Sequence, residues 1–351
     1  MCTENAKFTC PEPGKGCQYW HYDIGSKITV THDGVSTEVK LHVAPSEYTD
    51  SLSACIGPLH WFNDWPRLIA FIELWRRQGT HTFLVSVQSV SKSVQQVIDY
   101  YVDKYDPNFK TFYVSDNLEF QHCIFWSKSK YTFLGDVDDF IYIRNRSYNY
   151  FDYLEKWLAE KSDFGALKFS HVGLTFRPRI VENPFIYENF LTFDSFRNPI
   201  TFDNWRFPKT IFLTKAVKAN WVHYPNEYFL GKTAYEAPKE EALHLHGRYD
   251  FDLREDINES SKLYPDVQFF EPNKIDNTLK EIGAIVREIF HGETPEYRGA
   301  LAHDAVERCR NTGWSAQSGC LEPGVSCFDD LFPLDHWVLA EPNEDGHYVI
   351  I

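Results

Sequence analysis

A short apolar run that ends in three carboxylates is the most informative feature of this sequence for its fold and its site. Residues 131–134 are Tyr-Thr-Phe-Leu, and after a glycine the sequence continues with Asp136, Asp138 and Asp139. In open α/β sheets ligands bind just beyond the carboxyl ends of strands, and carboxylate oxygens suit hard divalent cations such as Mg²⁺ and Mn²⁺. The pattern therefore predicts a metal site at the end of a strand, with a solvated turn as the alternative.

Two further observations bear on this acidic motif. The Asp-x-Asp pattern recurs at Asp250 and Asp252, but there it lies among charged residues, as in a surface turn. Phosphatases that form an aspartyl-phosphate also place Asp-x-Asp after a strand, and they need a small hydroxyl side chain two positions after the second aspartate. This chain has Phe140 at that position, which disfavours a phosphatase.

Composition and charge exclude several classes of protein. The chain has 351 residues, 43% of them hydrophobic and 17% aromatic, which indicates a folded protein of two domains or of one α/β domain with a tail. The net charge of -15 argues against nucleic acid or an anionic membrane surface as the main partner, because both bind basic faces. Neither Gly-x-x-x-x-Gly-Lys nor Gly-x-Gly-x-x-Gly occurs, so a phosphorylated ligand would need a metal ion or local basic side chains.

Cysteine and asparagine patterns favour an oxidising compartment. No Cys-x-x-Cys occurs, and the cysteines that cluster near the ends of the chain, in a way that suits disulfides of unknown pairing, are Cys10, Cys17, Cys309, Cys320 and Cys327. Asn145 and Asn258 lie in sequons for N-glycosylation. No apolar run reaches the roughly 18 residues that span a bilayer, and the first residues show no signal-peptide pattern. We therefore expect membrane contact only through an anchor that is absent from this chain.

The order of predicted elements indicates an α/β fold. Residues 1–50 form a strand-rich N-terminal segment, residues 51–250 a domain of alternating strands and helices, and residues 251–351 a C-terminal extension with one helix over 277–290 and a cysteine-containing tail. Short links between alternating elements predict a mainly parallel sheet with helices on both faces. Residues 176–208 are too long for a simple connection and predict a binding loop or lid.

Hydrophobic periodicity places the individual elements of the middle domain. One helix is predicted to begin after Asn63 or Asp64, to have Pro66 in its first turn and to end at Gly79. Further helices are predicted over residues 93–105 and 148–161, and strands over residues 54–57, 83–87, 111–114, 123–126, 165–169, 211–213, 221–223 and 242–246.

Two histidines later in the chain are candidates to complete the metal site. His244 and His246 lie two positions apart in a strand-like segment, and we expect only one of them to face a given side of the strand. One imidazole with the upstream carboxylates would give a metal site whose other ligands are phosphate oxygens and water. The alternative is that both are ordinary core or surface histidines.

Several short motifs occur in a fixed order between residues 53 and 250. They are Cys-Ile-Gly-Pro-Leu at 55–59, Ile-Glu-Leu-Trp-Arg-Arg-Gln-Gly at 72–79, Asp-Val-Asp-Asp at 136–139, Gly-Ala-Leu-Lys-Phe at 165–169, Lys-Thr-Ile-Phe at 209–212 and His-Gly-Arg at 246–248. In this order they resemble glycosyltransferase family 92. The likeness is greatest to the nematode branch, which includes a galactosyltransferase acting on the core fucose of N-glycans.

The resemblance implies a GT-A fold, a UDP-sugar donor (usually UDP-galactose), Mn²⁺ as the cofactor, and inversion at the anomeric carbon to give a β-linkage. The acceptor would be a glycan such as an N-glycan. Members of the family typically lie in the Golgi lumen, held there by an N-terminal membrane helix.

Site residues are also implied by the resemblance, position by position. Asp136 and Asp138 would bind Mn²⁺, with His246 as the third protein ligand and His223 as the competing choice. Nucleotide contacts would come from Cys55, Ile56, Gly57 and Pro58 at the uracil, from Asp136, and from Lys209 and Arg248 at the diphosphate.

Catalysis would also need a carboxylate base that removes the proton of the acceptor hydroxyl. The aromatic loop contains three candidates for this base, Glu182, Glu188 and Asp203, and Trp205 in the same loop is a candidate for stacking on the acceptor sugar, with a packed core position as the alternative.

Departures from the family pattern leave an alternative open, an inactive member that acts as a sugar-binding or scaffold protein. Asp139 stands where the family usually has Glu, Thr214 stands where it usually has Pro, and the stretch between Phe120 and Tyr131 is shorter than expected. A glycoside hydrolase is a further alternative, which would need two carboxylates facing one sugar and no metal.

Overall fold

The computed structural model describes residues 27–32, 35–40, 47–105, 110–112, 116–175, 200–202, 207–221, 223–248, 264, 266–270, 273–293, 295–299, 301–302, 304–305, 308, 328–342 and 348–350. The strands are β1 (Lys27–His32), β2 (Val35–Lys40), β3 (Asp50–Leu59), β4 (Thr82–Val87), β5 (Ser89–Ser91), β6 (Lys110–Phe112), β7 (Ser129–Gly135), β8 (Asp139–Ile143), β9 (Phe164–Phe169), β10 (His171–Thr175), β11 (Ile200–Phe202), β12 (Lys209–Leu213), β13 (Val217–Asn220), β14 (Pro225–Tyr228), β15 (Thr233–Glu236), β16 (Ala242–Arg248), β17 (Trp337–Pro342) and β18 (Tyr348–Ile350). The helices are α1 (Trp65–Arg77), α2 (Lys92–Tyr105), α3 (Asp116–Trp126), α4 (Tyr150–Glu160), α5 (Ile275–Ile289) and α6 (Phe328–Leu331).

Seven of the described strands form the main sheet, in the order β15-β9-β12-β7-β3-β4-β6. Strands β7, β3, β4 and β6 pair in parallel, as do β15 and β9, whereas β12 runs antiparallel to both β7 and β9. The sheet is therefore mixed, whereas the sequence predicted a mainly parallel sheet. The direction of a strand depends on its connections, which the pattern of its side chains does not reveal. Since β12 runs against β7, its first residue lies beside the end of β7, with Thr210 opposite Leu134.

Helices cover both faces of the main sheet. Ala54 and Ile56 of β3 belong to a large buried cluster that includes residues of α1, α2 and α4, whereas Cys55 belongs to a second cluster with residues of α3. Successive side chains of a strand point to opposite faces, so the two clusters lie on opposite sides of the sheet. The expected placement of helices on both faces is confirmed.

A second sheet of four described strands, in the order β11-β10-β16-β8, begins at the acidic motif. Strand β8 pairs antiparallel with β16, which puts His246 opposite Asp139. Strand β10 pairs in parallel with β16, and His171 lies opposite His244. This second sheet was not predicted from the sequence. Its strand pairing brings the imidazole of His244 to the carboxylate of Asp139, although the two residues are 105 positions apart in the chain.

The ends of helix α1 are determined by its local sequence, and the helix packs against the acidic motif. The Asp64 side chain accepts a backbone N–H of the first turn (3.2 Å), Pro66 follows it, and Gly79 has a φ of 92° after the last turn. Trp75 is fully buried, and its indole N–H donates to the backbone carbonyl of Asp139 (3.2 Å). The predicted helix is confirmed, and it packs directly against the acidic turn.

Short apolar runs account for the errors in the predicted elements. Residues 123–126, predicted as a strand, form the end of α3, where Cys123 and Ile124 are buried and Phe125 is 52% exposed. Four apolar residues do not distinguish the helical from the strand period.

Two other strand predictions were also wrong in position. Trp221 and His223, predicted within a strand, lie in the connection between β13 and β14. Strand β3 does not end at Gly57 but continues to Leu59, with a shift in its pairing to β4 after Ile56. A shifted ladder accommodates the proline at position 58, which has no N–H to donate.

The described C-terminal elements pack on the elements of the main sheet. Strand β17 pairs antiparallel with β5, and the Tyr100 hydroxyl of α2 donates to Glu288 of α5 (2.9 Å). Helix α5 is the helix predicted over residues 277–290. In the part of the chain that the structure describes, no helix is both long and apolar enough to cross a membrane.

Candidate functional site

The acidic motif forms a tight turn at the carboxyl end of β7, between the two sheets. The backbone N–H of Asp139 donates to the carbonyl of Asp136 (3.1 Å), which closes the turn. Strand β3 comes close on one side, because a Cβ at Gly57 would lie 3.0 Å from Oδ1 of Asp136. A glycine at this position therefore lets the strand approach the carboxylate closely.

Asp139 is the hub of the site, fully buried and bonded through both of its oxygens. Its Oδ1 lies 2.6 Å from Nε2 of His244 and 2.8 Å from Nδ1 of His246. Its Oδ2 lies 3.0 Å from Nζ of Lys209 and accepts the backbone N–H of Asp136 (2.8 Å). A buried carboxylate with this many donors is held in one orientation.

The ionisation of Asp139 decides the roles of the two imidazoles. Burial raises the pKa of Asp139, but the Lys209 ammonium and the two histidines outweigh it and lower the pKa well below its ordinary value of 3.8. An ionised carboxylate only accepts hydrogen bonds, so both imidazoles donate to it. In its neutral form His246 then carries its proton on Nδ1 and has its lone pair on Nε2.

That lone pair faces the second carboxylate of the motif. Nε2 of His246 lies 3.8 Å from Oδ2 of Asp138, and both residues are buried. The guanidinium of Arg67 approaches the same oxygen at 3.9 Å and is itself held by Asp64 at 3.1 Å. A carboxylate that fixes a histidine through one nitrogen while the other nitrogen faces a site is the usual outer support of a metal-binding histidine.

The donor set fits a hard or intermediate divalent cation. Asp136 and Asp138 belong, with the hub Asp139, to a group of three carboxylates whose oxygens lie within 4.8 Å of one another, and Nε2 of His246 lies 3.8 Å from Asp138. Oxygen-rich sets with one imidazole suit Mn²⁺ or Mg²⁺ better than soft metals. Asp136 has a side chain 48% exposed, so the cluster is open to a ligand from solvent on that side.

Lys209 and His223, two residues singled out by the resemblance, lie beside this cluster. The Lys209 ammonium is buried and lies 3.1 Å from Oδ2 of Asp136; burial lowers its pKa, but Asp136 and Asp139 raise it above the ordinary value. His223 lies outside both carboxylate clusters, and burial, with the Lys209 charge, lowers its pKa to about 4. Of the two competing histidines, the structure brings His246 to the carboxylates.

The residues expected at the uracil lie on β3. Cys55, Ile56 and Gly57 are buried, and Pro58 is partly exposed. The Cys55 side chain forms a disulfide with Cys123 of α3, on the face of β3 that packs on α3. The expected disulfides among the terminal cysteines lie outside the described residues.

Several predicted site residues also lie outside the described part of the chain. These are the candidate bases and the candidate stacking residue, Glu182, Glu188, Asp203 and Trp205, together with the side chain of Arg248, whose backbone ends β16.

Sequence reasoning missed the part played by His244 and Asp139. The expectation that only one of His244 and His246 faces a given side was wrong, because residues two apart on a strand point to the same face. Both imidazoles bond to Asp139. The His-x-His spacing on a strand was the signal that identifies this arrangement.

Comparisons with known proteins assign the chain to a family. The sequence model of glycosyltransferase family 92 matches residues 50–282, more than half of the chain. No curated protein sequence matches the chain. Among solved structures, the crystal structure of S. aureus TarS aligns with 86% of this chain and 60% of its own chain, at 12% sequence identity and a TM-score of 0.30. The chain belongs to glycosyltransferase family 92.

Proposed function

We propose that this glycosyltransferase is a Mn²⁺-dependent inverting enzyme of GT-A type, which transfers galactose from UDP-galactose to a glycan acceptor such as an N-glycan. One observation carries the metal dependence: Oδ2 of Asp138 and Nε2 of His246 face each other at 3.8 Å, and Asp139 holds the histidine in that orientation. The motif resemblance to the family supports the choice of donor, acceptor and stereochemistry.

The residues that would hold the ion are Asp136, Asp138 and His246. A bound divalent cation would neutralise the charge that develops on the departing diphosphate, which lowers the energy of the transition state more than that of the ground state. Asp139 fixes the tautomer of His246, and the Lys209 ammonium restrains Asp136 at 3.1 Å. The three clustered carboxylates carry more negative charge than Lys209 and the more distant Arg67 neutralise. A bound cation would balance the remaining negative charge.

The protein's remaining tasks are to bind the uracil and to activate the acceptor. Strand β3 at residues 55–58 is proposed to lie against the uracil, since Gly57 brings it within van der Waals reach of Asp136. Glu182, Glu188 or Asp203 is proposed as the carboxylate base that takes the proton of the attacking hydroxyl.

The compartment is proposed to be the Golgi lumen. The disulfide between Cys55 and Cys123 supports an oxidising environment, where such bonds persist. Asn145 of the first sequon is exposed, and its Oδ1 accepts from the backbone N–H of Ser147 (3.1 Å) while its Nδ2 is the atom a glycan would occupy.

The test of the metal proposal is acceptor-free hydrolysis of UDP-galactose by wild type, Asp138→Asn and the control Asp103→Asn, each with Mn²⁺ and with EDTA. Asp103 is an exposed carboxylate of α2 and belongs to neither cluster of candidate metal ligands. We expect Mn²⁺-dependent hydrolysis that falls at least about a hundredfold in Asp138→Asn and is unchanged in Asp103→Asn. Equal rates in all three proteins, or rates that survive chelation, would contradict the proposal.

A specific observation favours a second candidate, a sugar-binding member without transferase activity. The Lys209 ammonium already lies 3.1 Å from Asp136 and 3.0 Å from Asp139, so a cation of the protein itself balances part of the cluster. This candidate predicts normal folding with no hydrolysis and no binding of UDP with Mn²⁺ in calorimetry. Tight binding of the pair would exclude it.

A further inference from the structure

Three aromatic rings form a partly exposed surface near the acidic site; we refer to Phe207, Trp221 and His223 as the aromatic platform. The rings of Phe207 and His223 stack at 5.0 Å between centroids with an interplanar angle of 25°. Trp221 meets Phe207 edge-on at 5.2 Å and His223 at 5.0 Å. Phe207 is 44% exposed and the other two rings are partly exposed, so the group presents apolar surface to solvent. Clustered exposed apolar side chains mark binding surfaces more often than isolated ones do.

The fold puts the aromatic platform at the edge of the sheet where the acidic motif lies. Phe207 comes two residues before Lys209, the first residue of β12, and this antiparallel strand begins where β7 ends. The Lys209 ammonium lies 3.1 Å from Asp136. The carbonyl of His223 accepts from the hydroxyl of Thr210 (3.2 Å), which ties the loop after β13 to the same strand end. The platform and the carboxylates therefore share one edge of the sheet.

The position of β7 within the sheet separates two ligand sites. Strand β7, which carries the acidic motif at its end, has β3 on one side and β12 on the other. The proposed uracil contacts lie on β3, on one side of β7. The aromatic platform lies on the β12 side, where Lys209 is expected at the diphosphate and where none of the proposed uracil contacts lies. The partner of the platform is then the second substrate of the transferase.

The chemistry of the aromatic platform suits a sugar ring. A pyranose presents C–H groups on one face and hydroxyls around its edge, and aromatic rings bind such an apolar face while polar groups stay in water. His223 is uncharged near neutral pH, because burial and the Lys209 ammonium lower its pKa to about 4. A neutral imidazole stacked on Phe207 extends the apolar surface and repels no neutral glycan.

We propose that the aromatic platform binds a pyranose ring of the glycan acceptor. This inference rests on the proposed function, because it names the acceptor subsite of the same transferase.

The test compares Phe207→Ala, Trp221→Ala and the control Phe229→Ala. Phe229 follows β14 on the same hairpin and is 46% exposed, close to the exposure of Phe207, but it lies outside the platform. Acceptor-free hydrolysis of UDP-galactose reports on the donor site, and transfer to a mixture of released N-glycans at varied concentration reports on the acceptor site. We expect the KM for the glycans to rise about tenfold in both platform variants, with hydrolysis unchanged. Phe207→Tyr, which keeps a ring, should restore the wild-type KM.

Each other outcome has a defined meaning. An unchanged KM in Phe207→Ala, with hydrolysis also unchanged, overturns the platform and leaves the proposed function intact. If donor hydrolysis and glycan transfer fall by the same factor, the rings contribute to the donor site, and the proposed acceptor role of the platform is wrong. If wild type hydrolyses no donor, the proposed function fails, and ligand-observed NMR with the same N-glycans then decides the platform. Contacts to pyranose C–H groups that vanish in Phe207→Ala and persist in Phe229→Ala support it, and contacts equal in both reject it.

Discussion

At the scale of single residues, the site depends on one buried carboxylate that holds three cationic or potentially cationic side chains. Asp139 bonds to Lys209, His244 and His246, and none of these contacts is exposed to solvent screening. Breaking a buried pair by removing one partner costs far more than breaking a surface pair, because the remaining charge stays buried without compensation. Asp139 therefore links the stability of the fold to the geometry of the proposed metal site.

The first prediction concerns Asp139→Asn. We expect this variant to lose about 3 to 5 kcal/mol of unfolding free energy in urea titrations, whereas Asp103→Asn on the surface should change it by less than about 0.5 kcal/mol. The pKa of Asp139 is lowered in the folded protein, so its contribution is complete above the ordinary value of 3.8 and is lost as pH falls through the lowered pKa.

The difference between wild type and Asp139→Asn should accordingly shrink as pH falls below about pH 4, where Asp139 itself becomes protonated. Urea titrations repeated at several pH values measure this difference. A difference that keeps growing as the pH falls below about 4 would contradict the assigned ionisation.

The acidic pair, His246 and Lys209 could be predicted as members of one site from their short motifs, but their contacts could not. The hub could not be predicted, because Asp139 and His244 are 105 residues apart and only strand register brings them together. Register is a property of the folded sheet, so local patterns identify the residue types but not their partners.

At the scale of secondary structure elements, the long periodic helices and several short strands were predicted correctly, whereas the short apolar run at residues 123–126 was not. Helices α1, α2, α4 and α5 carry apolar residues at helical spacing over three or more turns, and their predicted positions agree with the structure. The end of α3 has only four apolar residues in sequence, and its position on the sheet depends on tertiary contacts. The disulfide between Cys55 and Cys123 is one of these contacts.

The second prediction concerns this disulfide, which links β3 to α3. The bonded cysteines are 68 residues apart, so the bond restricts a long loop of the unfolded chain. We expect the double variant Cys55→Ala/Cys123→Ala to lose about 4 kcal/mol of unfolding free energy. The measurement is urea denaturation of both proteins, with wild type in reducing agent as a control that should approach the variant. A double variant as stable as wild type would show that packing alone holds α3 in place.

The same helix supports the donor side of the site. Phe120 of α3 lies 3.4 Å from the position of a Cβ on Gly57, next to Asp136. Loss of the disulfide should therefore also weaken binding of UDP with Mn²⁺, since α3 backs the strand proposed to contact the uracil. The antiparallel direction of β12 also contributes to the site. It places Lys209, the first residue of the strand, next to the acidic motif at the end of β7.

At the scale of the whole molecule, the acidic turn is the junction of two sheets. Strand β7 of the main sheet ends at it and β8 of the second sheet begins at it, while β16 supplies the histidines and β12 the lysine. The chain thus assembles one site from three strands, β8, β12 and β16, and from the turn that joins β7 to β8. The α/β class and the location of the site at a strand end could be predicted from sequence, but the second sheet could not, because its strands come from distant parts of the chain.

The metal site itself is tested by a calorimetric titration of Mn²⁺, in the presence of UDP, into wild type, His246→Ala and His223→Ala. His246 faces Asp138 at 3.8 Å, whereas His223 lies outside the carboxylate clusters. We expect His246→Ala to weaken Mn²⁺ binding by about a hundredfold or more and His223→Ala to leave it unchanged. Equal binding by wild type and His246→Ala, or no binding by wild type, would contradict the claim that these carboxylates and this imidazole form a metal site.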